Sequence, residues 1–243
     1  MAEKPTLAVF RPDDERLVEA VTYLEQNDCV ALADPMLEIV PTDNVPRADA
    51  DVVIITSTTG VDQLQAGGWD QAEVTLCAIG EKTATALETA GYSVDIIPEE
   101  YTSSGLVKRL MGTIDGKKVE IARSGHGSTV LPDGLIDAGA YVHETILYRL
   151  SRPAESGTST SALVAGELDG VLFTSPLTVK HFIESARERE IESAVRSGME
   201  EVVVGAIGQP TAEAAQEQGI GVDVIPPKAS FPTLADAVCK KIQ

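Results

Sequence analysis

The stretch AIGEKTATALETAGYSVDIIP, residues 78–98, returns 128 positions later as AIGQPTAEAAQEQGIGVDVIP, residues 206–226. Eleven of the 21 aligned positions are identical, among them the Ile-Gly pair, the later glycine and the Val-Asp-x-Ile-Pro ending. Each copy reads as a strand end, a helix, a glycine stop and a further extended segment. The duplication extends outward. DVVIITSTTGVDQL (51–64) matches DGVLFTSPLTVKHF (169–182), and EYTSSGLVKRL (100–110) matches KASFPTLADAV (228–238). LAVFR, which ends at Arg11, corresponds to the strand that ends at Arg123, and Gly139-Ala140-Tyr141-Val142 corresponds to Asp28-Cys29-Val30. The chain is therefore expected to hold two similar lobes with a ligand cleft between them.

Between these landmarks, short β-branched runs alternate with helical stretches. The strands are expected at 7–11, 29–33, 51–56, 75–80, 93–98, 117–123, 140–148, 169–175, 201–208 and 221–226, with a first helix over about Asp14–Gln26. Apolar strands separated by helices of this length indicate parallel βαβ units, so the fold class is α/β. Two further extended segments, PMLEIVPT (35–42) and ETILYRLSRP (144–153), stand where one half passes to the other. If they pair as bridging strands (37–40 and 147–152), residues 1–36 join 153–243 in one lobe and 41–146 form the other. A sequential cut near residue 115 is the alternative, and the residues alone leave both open.

The composition excludes several classes. With 38 acidic against 19 basic residues, the net charge is −19. Nucleic-acid binding needs a basic footprint, which this chain lacks. A patterned, strongly acidic chain with nine lysines reads as a salt-adapted, halophilic protein, whose self-repulsion concentrated salt would screen, or simply as a soluble acidic one. No run is long enough to span a bilayer and the first residues, MAEKPTLAVF, lack a signal-like apolar stretch, so a cytoplasmic protein without membrane association is expected. Cys29, Cys77 and Cys239 are odd in number and widely spaced, which suggests neither a disulfide framework nor zinc ligation.

Strand ends carry the candidate chemistry. Thr56-Ser57-Thr58, Gly80-Glu81-Lys82-Thr83, Thr174-Ser175-Pro176 and Gly208-Gln209-Pro210-Thr211 each close a strand and open a helix. Thr102-Ser103 opens another. Helix N-termini offer unpaired N–H groups and partial positive charge, which suits carboxylate or phosphate, and hydroxyls add donors. The same residues are also ordinary N-caps. Arg123-Ser124-Gly125-His126 forms a further strand-to-loop junction that is neither a Walker loop nor a dinucleotide fingerprint. Arg11 is its counterpart at the end of the first strand. His126, His143 and His181 are too dispersed for a metal site, and no nucleophile motif occurs. Tyr148 lies in the proposed bridge, either as a packed residue or as a hydroxyl donor to a leaving group.

Taken together, VIITSTTGV, AIGEKTATALETAGY, the Gly139–Val142 turn leading to ILYRL, VLFTSPLTVKHF and AIGQPTAEAAQEQGI resemble the uroporphyrinogen-III synthase family. The likeness runs from Arg11 to the C-terminus. It implies two flavodoxin-like lobes joined by a two-stranded bridge. It implies cyclisation of hydroxymethylbilane with ring D inverted, by a lyase that needs no metal or organic cofactor. A monomer is expected, with at most transient contact with hydroxymethylbilane synthase. The resemblance places Tyr148 near the leaving hydroxyl and Ser57, Ser175, Thr83, Thr211, Thr102 and Ser103 at ligand-facing positions. At Ser128-Thr129 the chain departs from the Arg-Glu pair of many relatives, which leaves His126 and Arg123 as the nearest basic groups. The rival class is a non-catalytic two-lobed protein that closes on a small anion. A flavodoxin-like or receiver-like module is a further rival, but these strand ends lack a receiver's acidic cluster.

Overall fold

The computed structural model describes residues 4–242. The chain opens with β1 (Thr6–Val9), α1 (Glu15–Gln26) and β2 (Val30–Ala33). There follow β3 (Glu38–Pro41), β4 (Val52–Ile55), α2 (Thr58–Ala66), β5 (Thr75–Ala78), α3 (Glu81–Thr89) and α4 (Ser103–Leu110). Next come β6 (Lys118–Ser124), α5 (Val130–Asp137) and β7 (Tyr141–Ser151). The last part holds α6 (Thr158–Val164), β8 (Gly170–Phe173), α7 (Pro176–Glu188), α8 (Glu192–Met199), β9 (Val203–Ala206), α9 (Gln209–Glu217) and α10 (Phe231–Ile242).

Two compact units result: Met1–Glu38 with Ser151–Gln243, and Ile39–Leu150. The first unit holds a sheet in the order β2-β1-β8-β9, the second a sheet in the order β3-β7-β6-β4-β5. β1 pairs in parallel with β2 and β8, and β8 with β9. In the other unit β4 pairs in parallel with β5 and β6, and β6 with β7. Central strands β4 (VVII) and β8 (GVLF) are buried at every position. That is why they read as unbroken apolar runs: helices cover both sheet faces. In the first unit Phe10, Phe173 and Phe182 pack on one face, while Leu7, Val9, Leu24 and Val238 fill the other. In the second, Val53, Ile55 and Leu147 belong to one core, and Val52, Ile54 and Ile121 to the other.

The segments 140–148 and 144–153 form one continuous eleven-residue strand, β7, beside β3. The chain passes from one unit to the other on these two neighbouring strands. Thr42 N–H donates to the Leu147 carbonyl (3.1 Å) and Asn44 Nδ2 to that of Ile146 (3.0 Å), which continues the contact beyond β3.

The strands expected at 93–98 and 221–226 are corrected to single bridges, Cys77–Ile96 and Gly205–Val224. The reason lies in the duplicated aspartate. Leu76 N–H donates to the Asp95 carboxylate (2.8 Å), and Val204 N–H to that of Asp223 (3.0 Å). A side chain takes the place that a strand carbonyl would fill, so no ladder propagates. Pro98 and Pro226 then remove the next usable donors. Burial pushes the Asp223 carboxyl up. Hydrogen bonds from Lys241 and Val204 N–H, together with the Lys241 charge, outweigh it and hold the group below its ordinary value. A carboxylate with a depressed pKa contributes stability above its unfolded-state value, and that contribution is lost as pH falls through the folded one. Asp223→Asn is thus expected to lower the melting temperature at neutral pH. The difference from the parent should vanish once pH drops below the carboxylate range; a constant difference down to that pH would assign the effect to packing.

Asp34 ties the parts of the first unit together. It is buried at the end of β2 and accepts from Gly157 N (2.8 Å), Ser159 N (2.9 Å) and the Ser159 hydroxyl. It thereby caps α6 from 123 residues away. Gly157 has φ 107°, and a Cβ there would lie 2.0 Å from Ser185 Oγ, so only glycine fits.

Candidate functional site

In the second unit the ends of two strands, β4 and β6, meet at Tyr148 on β7. Ser57, just beyond β4, caps α2 by accepting from Gly60 N (3.0 Å). Its Oγ lies 3.1 Å from the Tyr148 hydroxyl. Tyr148 is buried on β7, and its carbonyl accepts from Gly125 N (3.0 Å) in the loop after β6. A buried tyrosine hydroxyl ordinarily finds a partner, and this partner sits at a helix N-terminus. Thr56 and Thr58 flank Ser57 at the same strand end.

Gly80 caps α3 with extended backbone and no side chain; a Cβ would stand 3.1 Å from Tyr101. Lys82 is exposed, whereas Thr83 is buried in the first turn of α3. Thr102 caps α4 by accepting from Gly105 N (3.0 Å), and Ser103 is that helix's first residue. A Cβ at Gly105 would lie 2.1 Å from the Glu100 carbonyl oxygen, so the chain can turn into α4 only at a glycine.

Arg123 reaches the end of β6, but its guanidinium is occupied. Nε donates to Glu144 Oε2 (2.6 Å), Nη2 pairs with the same oxygen, and Nη1 donates to the Ser128 carbonyl (2.5 Å). Gly127 lies over the group so closely that a Cβ would come within 2.3 Å of Nη1. The charge is therefore neutralised within the unit. Ser124 Oγ lies 3.4 Å from His126 N, and the His126 side chain is exposed. His143, near the start of β7, bonds through Nδ1 to buried Glu120 (2.7 Å).

The first unit repeats the arrangement. Ser175 caps α7 in a capping box with Thr178, and its φ and ψ of −161° and 160° match the −159° and 155° of Ser57. Gly208 caps α9 with φ −172°, against −173° at Gly80. The duplicated residues thus build duplicated helix starts, with N–H groups directed past the strand ends. Thr174 Oγ1 donates to the Phe10 carbonyl (2.7 Å), Gln209 Nε2 to Glu213 (3.2 Å), and Thr211 is buried.

Arg11 differs from its counterpart Arg123. It is half-buried, its guanidinium lies 4.9 Å from the centre of the Phe231 ring, and its Nε is buried without a hydrogen-bond partner. Burial, with the nearby Arg16 charge, lowers its pKa from the ordinary arginine value. An unsatisfied buried donor on a cation is costly unless an anion arrives to accept from it. Sequence reasoning could pair Arg11 with Arg123 through the repeat. It missed Phe231 and Glu144, because each meets its arginine only through the fold. No group of three or more metal-ligating side chains occurs among the described residues, and no described helix is long and apolar enough to cross a membrane.

Comparison with known proteins gives a consistent result. The family model described as uroporphyrinogen-III synthase HemD matches residues 18–236. The chain is 36% identical to the "Putative uroporphyrinogen-III synthase" of Methanothermobacter thermautotrophicus over 230 residues, covering 88% of this chain and 90% of that one. It is 27% identical to the uroporphyrinogen-III synthase of Chlorobaculum parvum, over 68% and 66% of the two chains. Among solved structures, a mutant uroporphyrinogen III synthase from Thermus thermophilus aligns with TM-score 0.67 at 20% identity, over 98% of both chains. The uroporphyrinogen-III synthetase of Helicobacter pylori aligns with TM-score 0.63 at 16% identity, over 96% and 97%. At these identities the structures speak to the fold.

Proposed function

Since this chain belongs to the uroporphyrinogen-III synthase family, we propose that it takes hydroxymethylbilane, a linear tetrapyrrole rich in carboxylates, and closes it with ring D inverted. It acts as a lyase, releasing water. The observation that carries the chemistry is the line from Tyr148 through Ser57 to the N-terminus of α2. The Tyr148 hydroxyl gives its proton to the hydroxymethyl oxygen as the C–O bond breaks and water departs, which leaves an azafulvene cation on ring A. Negative charge developing on the tyrosine oxygen faces the Ser57 hydroxyl, itself held by Gly60 N–H at the positive end of α2. Ring D then attacks through its substituted carbon, the spiro intermediate fragments and recloses inverted through the free α-carbon of ring D, and the proton that this carbon sheds restores the Tyr148 hydroxyl. Uncatalysed closure gives the uninverted ring, so the protein's main task is to hold the chain of pyrroles in one shape.

The carboxylates are held at the strand ends: by Ser57, Thr56, Thr58, Gly80, Lys82, Thr102 and Ser103 in one unit, and by Ser175, Thr174, Gly208 and Gln209 in the other. Backbone N–H groups do most of this. Thr83 and Thr211, being buried, shape the helix starts. Arg11 is the cation with a donor to spare, whereas Arg123 ties the loop after β6, at the Ser128 carbonyl, to Glu144 of β7. Arg11→Gln is expected to raise KM roughly tenfold, the lower end of a charge-assisted hydrogen bond's worth, with kcat little changed. Steady-state kinetics checks this, and an unchanged KM would leave Arg11 a packing partner of Phe231.

The family match supports the synthase over a non-catalytic binder of a small anion. The reading carries a cytoplasmic monomer without membrane or nucleic-acid partners and a passing contact with hydroxymethylbilane synthase, because a substrate that closes wrongly in water gains from direct handover. The charge of −19 supports a protein suited to concentrated salt. The deciding experiment couples a hydroxymethylbilane-forming deaminase to this protein in high salt, oxidises the products and separates the uroporphyrin isomers. A dominant type III isomer is expected, and type I alone from folded protein would overturn the proposal.

A further inference from the structure

Cys29 and Cys239 stand 210 positions apart, yet their sulfur atoms lie 2.9 Å from each other. Cys29 is buried in the turn after α1, where its N–H donates to the Leu24 carbonyl (3.0 Å) and Asp28 takes a positive φ of 59°. Cys239 sits in the last turns of α10 and is partly exposed. Both belong to the core that joins α1, β2 and α10. Two thiols this close approach nearer than non-bonded sulfurs ordinarily pack. A disulfide of about 2.05 Å asks the two atoms to close by only about 0.9 Å.

We propose that Cys29 and Cys239 form a reversible disulfide by exchange with a small oxidised disulfide of the glutathione type, and that the bond locks α10 to the turn between α1 and β2. The Cys239 thiolate attacks the small disulfide, joins one of its sulfurs and releases the first small thiolate. Cys29 then loses its proton to solvent and attacks Cys239 Sγ, which forms the intramolecular bond and releases the second. Two protein thiols are oxidised and one small disulfide is reduced to two thiols, so the exchange balances.

The surroundings explain why the pair rests as a dithiol until an oxidant is present. Burial, the hydrogen bond with Cys29 and the nearby charges of Cys29 and Asp236 push the Cys239 thiol up to about 12. The attacking thiolate is therefore scarce and exchange is slow. The bond would close a loop running almost the length of the chain, the case in which the unfolded state loses most freedom. It would also act on a helix that the first unit already uses at its strand ends. α10 begins at Phe231, beneath Arg11, and Tyr23 on α1 donates to its Asp236 (2.7 Å).

The third cysteine is an internal control. Cys77 is buried in β5 of the other unit, and burial with the Asp95 charge pushes its thiol up to about 12. The experiment incubates the folded chain with oxidised glutathione, removes the reagent, denatures, alkylates and maps the peptides by mass spectrometry. A Cys29–Cys239 cross-linked peptide with Cys77 alkylated is expected, along with a higher melting temperature that dithiothreitol returns to the starting value. Cys29→Ser should leave glutathione trapped on Cys239. Three alkylated cysteines, a cross-link to Cys77, or glutathione left on Cys239 of the parent chain would each overturn the proposal. The parent chain's peptide map decides the matter even where the variant does not fold.

Discussion

Tyr148→Phe is expected to lower kcat by about 10²-fold, the lower end of what a positioned general acid contributes. The residual product should still be mainly the type III isomer. Removing the hydroxyl leaves the ring in the core that also holds Ala122 and Leu147 and sacrifices one neutral hydrogen bond, to Ser57. The stability cost is about 1 kcal/mol, because Ser57 keeps the Gly60 N–H as a partner. Turnover and thermal melting therefore separate the two roles a buried tyrosine can have. A loss of turnover with an almost unchanged melt places the hydroxyl in the leaving-group step. Equal turnover in parent and variant would remove it from that step and leave Tyr148 as packing. The persistence of type III product tests a different point: if conformation rather than proton transfer selects the isomer, slowing the acid step leaves the ratio standing.

Asp34→Ala should have the largest effect on stability, about 3–5 kcal/mol, since it strips a buried carboxylate from three donors at once. The Gly157 and Ser159 N–H groups would stay buried with nothing to accept them, and α6 would lose the carboxylate at its N-terminus. A loss of that size is a large share of an ordinary domain's stability. The measurement is the midpoint of urea unfolding followed by circular dichroism, with Asp34→Asn alongside. The asparagine oxygen can still accept from one N–H, so its midpoint should fall between parent and alanine variant. A shift below about 1 kcal/mol for alanine would show that water replaces the carboxylate.

Both predictions rest on contacts that local sequence could not display. Tyr148 and Ser57 are 91 positions apart, Asp34 and Gly157 123, and the two cysteines 210. The expectation that 93–98 and 221–226 are strands failed for a related reason. Their apolar alternation is that of a strand, but one aspartate in each copy folds its side chain onto the neighbouring backbone and stops the ladder at a single bridge.

The sequence by itself determined the alternation of strands and helices, the duplication and the kind of residue that opens each helix. These depend on short-range periodicity and on backbone preferences that a few neighbouring residues express. Ser57 and Ser175, or Gly80 and Gly208, take almost the same dihedral angles in the two copies for that reason. Only the tertiary structure decided which strands are neighbours and therefore which side chains meet. By setting β7 beside β6, it gave Arg123 a carboxylate, Glu144, that satisfies its charge. By laying α10 against β1 and α1, it put Phe231 under Arg11 and left that cation's Nε without an acceptor. Two arginines that the repeat makes equivalent were thus given opposite tasks, because a side chain's charge is spent or spared by what packs against it rather than by its place in a pattern.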